Sequence, residues 1–187
     1  MTTHSDFILR GKKVLLRPFT LSDVDEAYIA WLNDQDVVRF SNQRFLNHDR
    51  ESCLRYLASF ENTDNLFISV RRLHDDCRGG SQIGTMTAYV AKHHGTVDVG
   101  IMIGDKTLWG TGSGQDAWDT LTNWLIDRDD IRKLTAGTLA CNTGMIKLME
   151  RSCMQHEATR KAQELIENEP VDIFYFSKFC DEKINKQ

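Results

Sequence analysis

The chain has 187 residues, 41% hydrophobic and 27% charged, a balance that suits one globular domain spanning 1–187 and excludes a disordered chain. A net charge of −4, with six histidines counted neutral, argues against a nucleic-acid partner, which selects for a basic face. It suits a cationic acceptor such as an amine.

Lys13-Val-Leu-Leu-Arg-Pro18 reads as a short strand, ending where proline offers no N–H to a ladder. Ser22 is then the expected cap of a helix, with Asp23 and Asp25 at the positive end of its dipole. Val24, Ala27, Ile29, Ala30 and Leu32 supply the buried stripe of that helix. A second helix is predicted over 47–60, with Leu54, Tyr56, Leu57 and Phe60 inward. Strands rich in Val, Ile, Phe and Thr follow at 65–71, 82–91 and 96–103, the last two joined by a turn at His93-His94-Gly95. A helix over 115–127 presents Ala117, Trp118, Leu121, Trp124 and Leu125 on one face. A strand at 133–140, a short helix at 144–151 and strands near 156–165 and 171–179 complete the chain.

Three consecutive strands point to an antiparallel meander, whereas the later strand-helix-strand unit requires parallel pairing. The expected fold class is therefore α/β (α+β), a mixed sheet with helices on both faces. Cys53, Cys77, Cys141, Cys153 and Cys180 are odd in number and form no C-x-x-C pair, so neither a disulfide framework nor a metal site is expected. The first seven residues lack a basic stretch followed by an apolar one, and no run approaches the ~20 apolar residues of a membrane helix. A cytoplasmic protein with no membrane partner is the expectation.

The most informative stretch is Gly110-x-Gly112-x-Gly114, where a strand runs into a helix. Such a turn aims unpaired backbone N–H groups at one point, and the helix dipole adds positive charge there. Glycine keeps side chains out of the way and permits positive φ. The site suits an anion, most simply a diphosphate. A P-loop would need a lysine after Gly114, and a dinucleotide fingerprint would need glycine where Gln115 stands. The alternative is a tight connection that uses glycine for geometry alone.

Trp109-Gly-Thr-Gly-Ser-Gly-Gln-Asp-Ala117 resembles the acetyl-CoA loop of the GNAT acetyltransferases, Gln/Arg-x-x-Gly-x-Gly/Ala, with Trp109 in the first position. That replacement is similar to the branch containing the Rim-type ribosomal-protein N-terminal acetyltransferases. The stretches 14–23 and 31–34 resemble the opening strand, helix cap and first-helix end of this branch. Ala140-Cys-Asn-Thr-Gly-Met-Ile-Lys-Leu-Met-Glu-Arg151 resembles its Asn-x-x-Ser/Ala-Ile-x-Leu-x-Glu-Lys segment. The resemblance implies a GNAT-like, mainly antiparallel sheet of six to seven strands. It also implies an N-acetyltransferase that uses acetyl-CoA as cosubstrate, by direct attack of a primary amine on the thioester.

By the same resemblance, Trp109, Gly110, Thr111, Gly112, Ser113, Gly114 and Gln115 hold the cofactor diphosphate. Ile101, Met102 and Ile103 lie beside the pantetheine arm, and one of their N–H groups is the expected oxyanion donor. Asn142 is expected both in cofactor binding and in catalysis, with helix capping as its ordinary reading. Lys147 approaches a phosphate or stands in solvent. Met145 replaces a frequent serine, and Met149 replaces the tyrosine that protonates the leaving thiolate in many relatives. The acid is thus unassigned, with Ser152, Cys153 and His156 following. Asp98 is the expected base, or else a solvent-facing strand residue. Arg39, Ser41, Asn42, Gln43 and Arg44 form the expected acceptor loop, the arginines holding a phosphate or carboxylate and the others hydroxyls. A nucleotide-linked amino sugar fits that loop. A Rim-type protein N-terminus, a non-catalytic acyl-CoA-binding module and a nucleotide-binding regulator remain alternatives, and monomer and homodimer are both open.

Overall fold

In a computed structural model of the chain, residues 7–73 and 79–180 are described. Cys77 and the first six residues lie outside them. One sheet carries eight strands: β1 (Leu9–Arg10), β2 (Val14–Pro18), β3 (Leu66–Leu73), β4 (Gly79–Ala91), β5 (Thr96–Ile103), β6 (Lys133–Leu139), β7 (Gln155–Ile166) and β8 (Glu169–Phe179). The spatial order is β1-β2-β3-β4-β5-β6-β8-β7. Every neighbouring pair is antiparallel except β5 and β6, which are parallel, as a crossover through a helix demands. The count exceeds the six to seven expected because β1 is a two-residue strand, too short to leave a periodic signal.

Four α-helices cover the two faces: α1 (Glu26–Asn33), α2 (Arg50–Ala58), α3 (Ser113–Ile126) and α4 (Thr143–Arg151). Alternation along β5 assigns the faces. Val97 and Val99 enter the core shared with Ala117, Trp118, Leu121 and Leu125 of α3 and Met149 of α4. Met102 packs instead against the cluster of Phe19, Tyr28, Leu32, Cys53 and Phe67, which carries α1 and α2. Phe67 is the hub there, stacked on Phe19 at 4.2 Å and on Phe60 at 5.2 Å. Each such side chain contributes ~1.5–3 kcal/mol on burial.

Helix starts differ from expectation because other groups cap them. Ser22 does not cap α1: Leu21–Asp23 is a separate 3-10 turn, and Asp25 caps α1 by accepting from the Tyr28 amide at 2.8 Å. Asp49 starts α2 at Arg50, accepting from the Ser52 amide at 2.7 Å. Asp23 is buried with a two-pronged Arg17 contact at 2.7 Å, Arg71 at 3.1 Å and the Thr20 amide at 2.8 Å. Burial alone would raise its carboxyl, but these partners, Arg17 foremost, hold it below the usual carboxylate range. The contact fixes where the chain leaves β2 for α1.

Candidate active site

The parallel pair sets the site. Strands β5 and β6 are paired only from Thr96–Lys133 to Asp98–Thr135, and then part. Beyond that point β5 stays on β4, while β6 follows β8. Backbone groups of alternate residues in a strand point the same way. The Val97 carbonyl faces β6, within 3.4 Å of Thr135 Oγ1, and the Ile103 carbonyl accepts from the Trp109 indole at 2.8 Å. The Met102 carbonyl faces β4, where a Cβ on Gly84 would collide with it. The pairing of β4 with β5 has no register shift. Val99 and Ile101 therefore turn their amides and carbonyls into the gap. Of the three residues expected beside the pantetheine, Ile101 and Ile103 face the gap with their backbones, and Met102 lends a side chain to the opposite face.

The gap opens into a cleft of about 1120 Å³ that continues on one side to the glycine loop and on the other to α1 and α2. Gly110 at φ 75° and Gly112 at φ 88° adopt left-handed conformations that a side chain would strain. Gly112 is the N-cap of α3, which begins at Ser113, two residues before the expected start. Among the described residues, the amides of Gly110, Gly112, Ser113, Gly114 and Gln115 have no hydrogen-bond partner. Five bare N–H groups at a helix N-terminus match the demands of a diphosphate. On α4, Lys147 and Arg151 stand one turn apart and both line the cleft. The sequence reading missed Arg151, although its i+4 spacing from Lys147 carries the signal.

Several expected residues are committed elsewhere. The Gln115 side chain ties α3 to α4, donating to Ser152 Oγ at 2.8 Å and Asp119 at 3.1 Å. The Thr111 and Ser113 hydroxyls lie 3.0 Å apart and off the cleft wall. Asn142 lines the cleft while capping α4, accepting from the Met145 amide at 3.2 Å and donating to Thr138 at 3.1 Å. Met145 also lines the cleft, whereas Met149 is fully buried in the core. Ser152 contacts Asp119 at 2.6 Å, and His156 packs on Phe174 and Phe176 in the outer strands. Neither reaches the cleft. His93 and His94 lie in the expected turn, closed by Gly95 at φ 59°.

The acceptor loop divides. Arg39, Ser41 and Gln43 line the cleft. Asn42 and Asp98 line a second cavity of about 230 Å³ together with Glu164 and Tyr175. Asp98 accepts from Thr135 Oγ1 at 2.8 Å, and crowding by neighbouring atoms raises its carboxyl despite that bond. Arg44 lines neither space. Its guanidinium donates to the Ser41 carbonyl at 2.7 Å and the Leu165 carbonyl at 3.2 Å, and lies over the Phe45 ring. The sequence reading also missed the inner wall, where Tyr28, Tyr56, Thr85 and Thr87 meet. Tyr56 contacts Tyr89 by their hydroxyls at 2.8 Å, and burial pushes the Tyr28 and Tyr56 phenols far above their ordinary range. Among the described residues, no group of three or more His, Cys, Asp or Glu side chains is placed to hold a metal, and no helix is long and apolar enough to cross a membrane.

A sheet parted between two parallel strands, with a bare-amide loop at one end of the gap, is an arrangement suited to a long ligand that carries an anionic group at one end. The family described as acetyltransferase (GNAT) domain matches residues 13–155, and the chain belongs to it. Among solved structures, a GNAT-family acetyltransferase from Bacillus anthracis is similar with a TM-score of 0.77 and 16% identity, over 94% of this chain and 99% of that one. The ribosomal-protein alpha-N-acetyltransferase RimL, in complex with coenzyme A, is similar with a TM-score of 0.79 and 13% identity, over 94% and 99%. The microcin self-immunity acetyltransferase MccE, in complex with acetyl-CoA and AMP, gives 0.75 and 13%, over 90% and 93%. At these identities the likeness is one of fold. No curated protein sequence matches the chain significantly.

Proposed function

We propose that the protein moves an acetyl group from acetyl-CoA directly to the primary amine of a small polar molecule. The observation that carries this reading is one continuous cleft joining the glycine loop, the parting of β5 and β6, and the pocket under α1 and α2. When bound, acetyl-CoA supplies the acetyl group as a thioester. The chain's own part is to bind and orient. The bare amides of the loop, with Lys147 and Arg151 nearby, suit the phosphates. The Val99 and Ile101 backbones suit the pantetheine amides, and the Ile101 N–H is the donor we assign to the charge that develops on the carbonyl oxygen.

A small acceptor is favoured over a protein N-terminus because the loop carrying Arg39, Ser41 and Gln43 crosses the acceptor end and fastens to the β7–β8 hairpin. A nucleotide-linked amino sugar remains the specific form of the proposal. Its anionic part falls to Arg39, which lines the cleft and whose ion pair with Glu167 at 3.5 Å is open to solvent, whereas Arg44 is nearly enclosed against the hairpin and lines no part of the cleft. The test is turnover of a panel of nucleotide-linked amino sugars, polyamines and peptide N-termini, read as release of coenzyme A. Turnover confined to the small amines is the expected result. Preferred turnover of the peptides would replace the small acceptor with a protein one. Binding of coenzyme A without release on any amine would reduce the chain to a binding module.

A further inference from the structure

The β1–β2 hairpin and the glycine loop are clasped in both directions, although 98 residues separate Lys13 from Thr111. In one direction, Asp116 in the first turn of α3 accepts the amides of Lys12, Lys13 and Val14 at 3.0, 2.7 and 3.1 Å. A Cβ on Gly11 would collide with that carboxylate, so the turn admits it only with glycine there. In the other direction, Lys13 Nζ donates to the Thr111 carbonyl at 2.5 Å. A carboxylate beside an anion site is unfavourable unless its charge is met. Here three backbone amides meet it.

The Thr111 carbonyl and the Gly112 N–H belong to one peptide unit, and the described chain has no cis bond. In a planar trans unit those two groups point in opposite directions. Lys13 grips the carbonyl from outside the cleft, whereas Gly112 lines the cleft, so the Gly112 N–H is turned inward. A cation on the carbonyl also polarises the unit and strengthens its N–H as a donor. We propose that Lys13 is a positioning residue for the cofactor, acting through the Thr111–Gly112 peptide to aim and strengthen the Gly112 N–H toward the diphosphate. This rests on the reading of the cleft as the acetyl-CoA site.

The experiment is calorimetric titration of coenzyme A into wild type, Lys13→Met and Lys13→Arg, at low salt and at about 0.5 M salt, where exposed charges are screened within a few ångströms. Lys13→Met raises Kd about tenfold at low salt, the worth of one charge-assisted contact, and the gap narrows at high salt. Lys13→Arg stays within about threefold of wild type. In steady-state assays KM for acetyl-CoA rises in parallel, while KM for the acceptor, kcat and the unfolding midpoint stay put. An unchanged Kd in Lys13→Met overturns the inference, and so does a loss that is equal at every salt concentration and accompanied by a lower midpoint. A wild-type protein that binds no coenzyme A would fail the cofactor reading itself, a result the variants are not needed to detect.

Discussion

At Asp98 two effects oppose one another: desolvation by the atoms crowded around its solvent-facing carboxyl pushes it up, the Thr135 hydroxyl draws it down, and desolvation is the larger. The folded chain thus binds that proton more tightly than the unfolded chain does. Stability from this group is present in full below the unfolded carboxylate value and is lost as pH rises through the folded one. Asparagine keeps a partner for Thr135 and carries no charge. Asp98→Asn is therefore expected to raise the unfolding midpoint relative to wild type above about pH 4, with no gain below it. Because Asp98 lies in the smaller cavity and off the main cleft, the acidic limb of kcat/KM is expected to keep its midpoint. A shift of that limb in the variant would return Asp98 to the role of base, which a carboxylate on the strand expected beside the thioester first suggests.

Helices α3 and α4 flank the glycine-loop end of the cleft, and a polar network fastens them together. Gln115 donates to Ser152, and Ser152 contacts Asp119 at 2.6 Å and the Leu148 carbonyl at 3.0 Å. Ser152 is buried, so its removal leaves partners without water to replace it. Ser152→Ala is expected to cost about 1–3 kcal/mol in denaturant unfolding, while kcat stays within about twofold, since the hydroxyl serves the helix pair and not a departing thiolate. A collapse of kcat at unchanged stability would contradict that. The elements themselves were legible wherever one face is buried. Strand β5 has the ends its alternation gives, because Val97 and Val99 face one core and Met102 the other. The ends of α1, α2 and α3 were less legible, because Asp25, Asp49 and Gly112 each compete with a nearby plausible start. Strand β7 is exposed along most of its length, so apolar periodicity marks neither of its ends.

The cleft is closed by chain segments far apart in sequence, and that is why its floor could be read from the residues and its roof could not. Glycine loop and α3 are contiguous, so spacing alone points to an anion site there. Arg44 finds Leu165 across 121 residues and Asn42 finds Glu164 across 122, and no local pattern encodes either meeting. Lone exposed ion pairs contribute little, ~0–1 kcal/mol. This strap is different in kind, because the Arg44 side chain is only 10% exposed, lies 3.7 Å from Glu164 and also binds a backbone carbonyl. On the proposed reading of the cleft, it holds the roof over the acceptor and does not touch the acceptor. Arg44→Ala and Glu164→Ala are therefore expected to raise acceptor KM about fivefold each, leave acetyl-CoA KM unchanged, and give a double variant little worse than either single one. An arginine that instead grips an acceptor phosphate makes a different prediction: Arg44→Ala alone would suffer, and only on phosphate-bearing amines. Steady-state kinetics of the three variants on one phosphorylated and one unphosphorylated acceptor separates a strap from a ligand.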